Sequence, residues 1–393
     1  MWRFHPKKLL LGSDSQFQYM KYFFIAGEAS GDLHASNLIR ELVKADPNAE
    51  IRGFGGELME EAGMKILKHY REMSFMGIIP VLMHLRTIKK NFQYCEKTFK
   101  EFNPDVLVLI DYPGFNLRMA KYAKSLGIKV YYYISPKVWA WKSSRVKQIK
   151  ELVDEMFTIF PFEADFYGQF GYKVNYVGNP VLDAVLKKRV SKSFDDFCAE
   201  NNLTEKPILA LVPGSRLQEI KSLLPRMLKA VNSVRSHQIV VTAAPGIPDH
   251  IYIGLVNGYQ VSVLRDKTYE VLQMADAAVL ASGTVTLETA ILRCPQVVCY
   301  RMAGGALFFA IGKFILNIKW VSLVNIILRR MAVKELLQHH CTAANIRKEV
   351  KRLLEDQAYR EQVAAGYDEL HQLLGAEGAS RRAAQMIVQK LRL

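Results

Sequence analysis

The sequence lacks the cysteine patterns that build disulfide frameworks or zinc sites. Its five cysteines are scattered over 393 residues, with no CxxC pair and no histidine at metal-ligand spacing. Secreted disulfide-rich domains and zinc-binding modules both need cysteines at regular, paired spacings. We therefore expect reduced thiols in a reducing compartment, with neither a disulfide nor a zinc ion.

Long uncharged apolar runs are also missing. The most apolar stretch, ALFFAIGKFILNIKW, is broken by Lys313 and Lys319 and does not reach the roughly 18 residues of a membrane-spanning helix. The apolar run at residues 9–11 is too short for the core of a signal peptide. We expect residues 1–19 to be a loose leader, and the apolar stretch to touch a membrane at most.

Acidic residues are outnumbered. The chain has 53 Lys and Arg against 38 Asp and Glu, a formal charge of +15. Such a surface attracts nucleic acid, an anionic membrane or a phosphorylated substrate, and the charge alone does not choose among them. Half of the residues are hydrophobic, which excludes a disordered or fibrous chain and allows two substantial cores.

Short apolar runs alternate with longer amphipathic stretches from Met20 onward. This pattern predicts parallel strands with helices on both faces, in YFFIA, IRGF, VLVLI, VYYYI and MFTIF and then in ILALVP, QIVVTAAP, VSVL, AAVLA and QVVCY. We predict an α/β fold with two Rossmann-like, doubly wound domains, 20–185 and 186–345, facing a central cleft. Helices over 346–393 could lie back across the first domain. Because ligands of such sheets bind outside the carboxyl ends of the strands, the loops that follow the strands are the candidate sites.

The first such loop, AGEASGDLHA, is a glycine-rich turn between a strand and a helix. Gly27 and Gly31 would let the backbone approach a ligand, while Glu28 and Asp32 would repel a phosphate. A sugar or another hydroxyl-bearing ligand therefore fits better than a dinucleotide. The alternative is an ordinary helix start, capped by Ser30 and Asp32.

A carboxylate ends the buried strand VLVLI. Asp111 is followed by the turn YPGFN, and a partly desolvated carboxylate facing a cleft could act as a general base. A structural role, with the carboxylate paired to turn amides, is the alternative. His34 is the rival base.

Two turns in the second series of strands suit phosphate groups. In LVPGSRLQEI, Gly214 and Ser215 would offer backbone and hydroxyl donors, and Arg216 would clamp a diphosphate. A solvated surface arginine is the alternative for Arg216. In LASGTVTLETA, residues 282–284 would meet phosphate oxygens, with Glu288 accepting from ribose hydroxyls. Neither turn matches GxxxxGK[ST], which disfavours an ATPase or a GTPase.

An apolar stripe and a basic cluster share the segment from residue 81 to residue 102, which the apolar sequence MGIIPVLMHL overlaps at its start. Apolar residues three and four positions apart predict one stripe along a helix. The simplest interpretation is that this stripe faces the core. The beginning of the segment is apolar enough to favour acyl-chain or membrane contact. The candidate contact residues are Ile79, Val81, Leu82, Leu85 and Ile88, with Arg86, Lys89 and Lys90 beside them.

Taken together, these stretches resemble one family, lipid-A-disaccharide synthase. The motifs GEASGD, MGIIPVL, PDVLVLIDYPGFN, SPKVWAWKSSRV, FPFEADFY, VGNPVLD, LVPGSR, LASGTVTLE, VCYRM, VSLVNIIL and KELLQ occur in the family's order from Met20 to near the C-terminus. The chain departs from the family at Pro80, where an acid is common, and at Val324, where the family has proline.

The resemblance implies an inverting glycosyltransferase of the GT-B type. Its members join UDP-2,3-diacylglucosamine to 2,3-diacylglucosamine 1-phosphate and release UDP, at the cytoplasmic face of the inner membrane of a Gram-negative bacterium. No metal, cofactor or nucleic acid is expected, the anionic membrane surface is a partner, and a homodimer is left open. The residues that match family site positions are Asp111 and Arg216, both held to be essential in the family, and Glu28, Glu288 and Asn325. The turn sequences themselves add Gly214, Ser215, Ser282, Gly283 and Thr284 as candidates for binding the nucleotide sugar.

Two rival functions stay open at this point. A UDP-sugar epimerase or hydrolase on the same fold would share the diphosphate turns without needing an apolar acceptor surface. A non-catalytic protein that binds a membrane surface would need neither Asp111 nor Arg216.

Overall fold

A computed structural model of the chain describes residues 19–73, 85–141, 145–301 and 319–393. The leader predicted over residues 1–19 lies outside the described residues except for Tyr19. The strands within these ranges form two sheets, one of seven strands and one of six. The chain divides into two compact units, Met1–Tyr131 with Ala384–Leu393, and Tyr132–Ala383.

In the first unit, parallel strands lie in the order β3-β2-β1-β4. The elements are β1 (Lys21–Ala26), α1 (Ala29–Ala45), β2 (Glu50–Gly55), α2 (Glu57–Glu61), β3 (Lys65–His69), α3 (Leu85–Phe102), β4 (Val106–Ile110) and α4 (Pro113–Ser125). Every residue of β4 is buried, as its unbroken apolar sequence predicts. The C-terminal residues join this unit, where Arg392 pairs with Asp46 at 3.4 Å.

The division between the units falls within β5 (Lys129–Tyr133). The next elements are α5 (Val138–Trp141), α6 (Arg145–Leu152), β6 (Glu155–Thr158), α7 (Phe162–Gly168), β7 (Asn175–Tyr176), α8 (Pro180–Lys187) and α9 (Phe194–Glu200). Strands β6 and β7 pair in parallel.

The second sheet has the order β10-β9-β8-β11-β12-β13, with every pair parallel. Its elements are β8 (Ile208–Val212), α10 (Leu217–Val231), β9 (Gln238–Ala243), α11 (Asp249–Val256), β10 (Ser262–Arg265), α12 (Thr268–Met274), β11 (Ala275–Ala281), α13 (Val285–Ile291), β12 (Gln296–Tyr300), α14 (Leu323–Leu328) and β13 (Lys334–Leu337). Three helices follow it: α15 (Ala343–Glu355), α16 (Gln357–Leu374) and α17 (Ala379–Leu391).

The core of the second sheet has two faces. Leu209 and Leu211 of β8 pack in one buried cluster with side chains of α10 and α15. Ile208, Ala210 and Val212 point the other way, into a cluster with side chains of α9 and α12. Helices therefore cover both faces, and strands buried on both sides need the continuous apolar sequences from which they were predicted.

All ten predicted strands are strands in the structure. All five cysteines are buried free thiols. Within the described ranges, no helix combines the length and apolar character needed to cross a membrane.

Candidate active site

Strand β4 ends in two strained residues. Asp111 and Tyr112 both have left-handed backbone conformations, with φ of 42° and 49°. Each such non-glycine residue costs on the order of 1–3 kcal/mol, and this kind of strain clusters at functional sites. Asp111 is half-buried and directly follows β4, whose residues are all buried. The structure therefore holds Asp111 in a conformation that costs free energy for any residue other than glycine.

Asn116 stabilises this turn through two hydrogen bonds to its backbone. Its side-chain amide, completely buried, donates to the main-chain oxygens of Ile110 at 3.2 Å and Asp111 at 2.7 Å. One side chain thus satisfies two carbonyls that the left-handed turn removes from the sheet. Asn116 belongs to the turn motif YPGFN but was not among the predicted site residues. Asparagine at a fixed distance after the strand was the signal that could have identified it.

Tyr112 covers the glycine-rich turn. A Cβ at Gly27 would lie 2.3 Å from the Tyr112 ring, so only glycine fits beneath it. This packing accounts for glycine at position 27, and the approach of its backbone to a ligand stays a prediction. The Tyr112 hydroxyl donates to the main-chain oxygen of Met73 at 3.0 Å.

Glu28 lies in the same part of the first unit as Asp111. Ala26 and Ile110 are register partners in β1 and β4, so the loops carrying the two carboxylates leave the sheet side by side. Burial raises the pKa of Tyr112, and the nearby charge of Glu28 raises it further. Glu28 therefore follows β1 and Asp111 follows β4, two strands that are neighbours in the sheet.

Asp32 serves a different helix from the one expected. Its buried carboxylate accepts from the backbone N–H groups of Gly56, Leu58 and Met59, at 2.8, 3.2 and 3.2 Å. These groups open α2, whereas α1 begins at Ala29 without a side-chain cap. The alternative in which Asp32 and Ser30 cap their own helix is wrong, because Asp32 points across to α2 and accepts from backbone amides that have no partner within that helix.

The rival base, His34, lies in α1 and is half-buried. Desolvation lowers the pKa of its imidazole to about 4. The ring is therefore neutral near pH 7 and retains a nitrogen able to accept a proton. Both Asp111 and His34 remain chemically competent bases.

The first predicted phosphate turn follows β8. Gly214 has φ of 112°, a conformation that favours glycine, and a Cβ there would also displace the Glu219 carboxylate, which lies 2.6 Å away. The Arg216 side chain is 69% exposed, and its guanidinium contacts Glu219 at 3.2 Å. An exposed pair of this kind contributes little, so Arg216 can turn toward an anion at small cost.

The second predicted phosphate turn follows β11, the strand next to β8. Val212 and Leu280 are register partners, and the space beside Gly214 is closed by Ala281. Residues 214–216 and 282–284 are thereby brought together at one sheet edge. Ser282 donates its hydroxyl to the Val321 main-chain oxygen at 2.9 Å, whereas Gly283 and Thr284 are exposed.

Glu288 is held within the second unit by an aromatic partner. Desolvation raises the pKa of its carboxyl, while a hydrogen bond from Tyr269 and the charge of Lys188 act in the opposite direction. The Lys188 ammonium lies 5.1 Å from the centre of the Tyr269 ring. These three side chains form one contiguous group behind the second turn.

The Asn325 side chain is fully engaged within the protein. Its amide donates to the Val333 oxygen at 2.9 Å and to Glu335 at 2.8 Å, and its oxygen accepts from two backbone N–H groups. Glu335 also accepts from the amides of Val321 and Ser322, at 3.0 and 2.9 Å. Asn325 and Glu335 thus fix the loop at 321–322. This contact of Glu335 with the loop was not predicted, although its motif KELLQ was recognised.

Helix α3 is buried along one side toward its C-terminus, its core end, and is more exposed near its N-terminus. Cys95, Phe99 and Phe102 are buried, which confirms the core-facing stripe. Ile88 is half-buried, and the basic candidates Arg86, Lys89 and Lys90 are exposed. The other candidates for membrane contact, Ile79, Val81, Leu82 and the Leu85 side chain, lie outside the described residues, as does Pro80.

The described ranges contain no group of three or more His, Cys, Asp or Glu side chains arranged to hold a metal ion.

A sequence model of the lipid-A-disaccharide synthetase family matches residues 22–390. The chain is also 38% identical over 378 residues to the lipid-A-disaccharide synthase of Geobacter sulfurreducens, covering 94% of this chain and 97% of the relative. Identity to the synthase of Myxococcus xanthus is 38% over 373 residues, covering 93% and 96%. The chain belongs to the lipid-A-disaccharide synthase family. As a member it is a glycosyltransferase of lipid A biosynthesis.

Solved structures share the fold of this synthase family member. A UDP-GlcNAc 2-epimerase from Neisseria meningitidis, solved with UDP-GlcNAc bound, matches with a TM-score of 0.60 and 15% identity, covering 95% of this chain and all of the other. The calicheamicin glycosyltransferase CalG4 also gives 0.60 at 15% identity, with 95% and 99% covered. The prediction of two Rossmann-like domains of the GT-B type is confirmed. The epimerase alternative is not favoured, because its support is similarity of fold alone.

Proposed function

We propose that this synthase transfers the sugar of UDP-2,3-diacylglucosamine to 2,3-diacylglucosamine 1-phosphate, giving lipid A disaccharide 1-phosphate and UDP. The observation that carries the mechanism is Asp111, held by Asn116 at the strained end of a buried strand. A residue kept in such a costly conformation calls for a role that an unstrained turn could not fill.

Asp111 acts as the general base in this proposal. It takes the proton from the acceptor 6-hydroxyl as that oxygen attacks the anomeric carbon of the donor. The bond from the anomeric carbon to the UDP oxygen breaks in the same displacement, so the configuration inverts. Glu28 lies beside this turn and adds negative charge near the reacting sugar hydroxyls.

Residues of the second unit would bind UDP and stabilise the negative charge that builds on it as it departs. Arg216 supplies a guanidinium for the diphosphate, and the exposed residues Gly283 and Thr284 line the neighbouring turn. Ser215 and Ser282 belong to the same two turns, and Glu288 accepts from the ribose. Asn325 contributes by fixing the loop at 321–322 rather than by touching the nucleotide.

The acceptor side of the proposed reaction lies at a membrane surface. The exposed cations of α3 would meet anionic headgroups, while the apolar candidates from Ile79 to Ile88 hold acyl chains. A groove of about 690 Å³ between α3 and α4 supports this placement, because Ile88 and Phe92 form part of its wall and Lys89, Arg118 and Lys121 also line it. The chain would then associate peripherally with the cytoplasmic face of the inner membrane.

One assay separates the proposal from its rivals. The protein is incubated with UDP-2,3-diacylglucosamine, with or without acceptor, and UDP and lipid products are measured. Acceptor-dependent UDP release with a disaccharide product supports the transferase. UDP release without acceptor indicates a hydrolase, an isomerised donor indicates an epimerase, and no turnover indicates a binding protein. Repeating the assay in EDTA tests metal independence, since restoration by Mg²⁺ or Mn²⁺ would contradict it.

A further inference from the structure

A second pocket, in the second unit, is lined mainly by aromatic and aliphatic side chains. It encloses about 300 Å³, at the lower end of the range for ligand sites. Trp139 and Phe162 meet edge to face with ring centres 5.1 Å apart. The lining residues are Trp139, Phe162, Phe166, Gln169, Lys319, Trp320, Ile326 and Arg329. None of them has a role in the reaction proposed above.

Two cations lie against the aromatic rings of this pocket. The Arg329 guanidinium is 5.7 Å from the centre of the Phe162 ring, and the Lys319 ammonium is 5.2 Å from that of Trp320. Both side chains are exposed, and the acidic neighbour Asp165 is 3.9 Å from Arg329. Apolar walls beside exposed cations match a ligand with an apolar chain and an anionic group.

The pocket is attached to the second phosphate turn. Trp320 directly precedes Val321, whose main-chain oxygen accepts the Ser282 hydroxyl. Leu323 continues the connection, because its backbone N–H donates to the Thr286 hydroxyl at 3.2 Å. If the diphosphate of a ligand bound at residues 282–284, its site would therefore be joined to the pocket wall at Trp320 through Val321 and Leu323.

We propose that this aromatic pocket binds an acyl chain of the UDP-sugar donor and so makes the site selective for an acylated donor. The inference rests on the proposed function, because it takes the UDP turn as given. Acyl chains supply the apolar surface that the rings would cover, and the exposed cations Lys319 and Arg329 at this pocket suit a donor that carries negative charge. The pocket is then a specificity determinant rather than part of the bond-breaking machinery.

Binding measurements with three ligands test the pocket directly. Affinities for UDP, UDP-N-acetylglucosamine and UDP-2,3-diacylglucosamine are measured by calorimetric titration for the wild type and for Phe166→Ala and Ile326→Trp. The first change removes a wall and the second fills the space. Each should lower the preference for the acylated donor over UDP-N-acetylglucosamine by about tenfold, with unchanged affinity for UDP.

Phe170→Ala is the matched control. Phe170 contacts Phe166, with ring centres 5.4 Å apart, but does not line the pocket. It should retain the full preference for the acylated donor. Either pocket variant decides the question if its melting temperature stays near that of the wild type.

The outcomes separate the inference from the function on which it rests. If the wild type binds all three ligands but neither folded variant loses preference for the acylated donor, the pocket assignment is wrong and the function stands. Equal losses for UDP and the acylated donor would also overturn it, since the pocket would then only support the UDP turn. If the wild type binds no UDP ligand, the proposed function fails and the inference falls with it.

Discussion

The side-chain amide of Asn116 donates a 2.7 Å hydrogen bond to the main-chain oxygen of Asp111. The same amide reaches Ile110, so one buried asparagine supports both residues at the point where β4 becomes a left-handed turn. The position of the proposed base thus depends on a side chain five residues further along the chain.

Asn116→Ala tests whether Asn116 positions Asp111 for catalysis without contributing to UDP binding. Loss of the donor leaves two carbonyls unsupported, which predicts a destabilisation of about 1–3 kcal/mol. It should also lower kcat at least tenfold with little change in UDP affinity, because Asp111 would no longer be held. Kinetics and urea unfolding check both effects. Asn175→Ala removes a comparable amide, which donates to Glu155 and Met156, and should cost stability without the loss in kcat.

Asp111→Asn should reduce kcat by roughly 100-fold or more and leave donor binding nearly intact, because the amide cannot take the acceptor proton. His34→Ala, measured in parallel, should retain most activity. The reverse pattern, with a near-normal Asp111→Asn enzyme and an inactive His34→Ala enzyme, would transfer the role of base to the imidazole.

Arg216→Ala should weaken UDP binding and lower turnover together, since a charge-assisted contact to the diphosphate is lost in both the ground state and the transition state. Calorimetric titration with UDP measures the first effect and kcat the second. Lys221→Ala is the control, because Lys221 is an exposed cation in α10, the helix that begins directly after Arg216. Equal UDP affinity in wild type and Arg216→Ala would leave Arg216 as an ordinary surface arginine.

Glu163 should make stability depend on pH. Its buried carboxylate accepts from the amides of Ile159 and Phe160, yet desolvation raises its pKa from 4.5 to about 7. Between these values the unfolded chain releases the proton while the folded chain keeps it, so stability falls as pH rises from about 4.5 to about 7.

The free energy of unfolding should lose about 3 kcal/mol across that interval from this group alone and change no further above it. Glu163→Gln does not titrate, so its stability should lack this decline, as measured by urea unfolding between pH 4.5 and 8. Glu151→Gln, at an exposed site, should behave like the wild type. Identical pH profiles for wild type and Glu163→Gln would show that Glu163 ionises normally.

The double change Lys89→Glu, Lys90→Glu should reduce binding to vesicles containing phosphatidylglycerol by at least tenfold, with the difference shrinking at high salt. The change Lys97→Glu, Lys100→Glu alters the same charge on the same helix, nearer its core end, and should have a smaller effect. Co-sedimentation measures both. Equal losses in the two variants would indicate a diffuse effect of net charge instead of a membrane-facing end of α3.

Local sequence determined the strands and the loops that follow them. The runs VLVLI and ILALVP are apolar without interruption because both faces of their sheets are buried, so they could be recognised without any tertiary information. Strands β3, β7 and β13 were not predicted. KILKH and KELL carry charged residues, and the two-residue β7 is too short for any periodicity, so their pairing depends on neighbouring strands.

Tertiary structure decided which contacts these loop residues make. The sequence by itself placed Asp111, Arg216 and the two phosphate turns at strand ends, because strand and turn signals are local. Only the fold brought Asp32 to the amides of α2, the Tyr112 ring over Gly27, and Glu335 to the loop at 321–322. These contacts join residues far apart in the chain. Packing between elements decides which partner a buried carboxylate or ring contacts, and local sequence patterns carry no information about that packing.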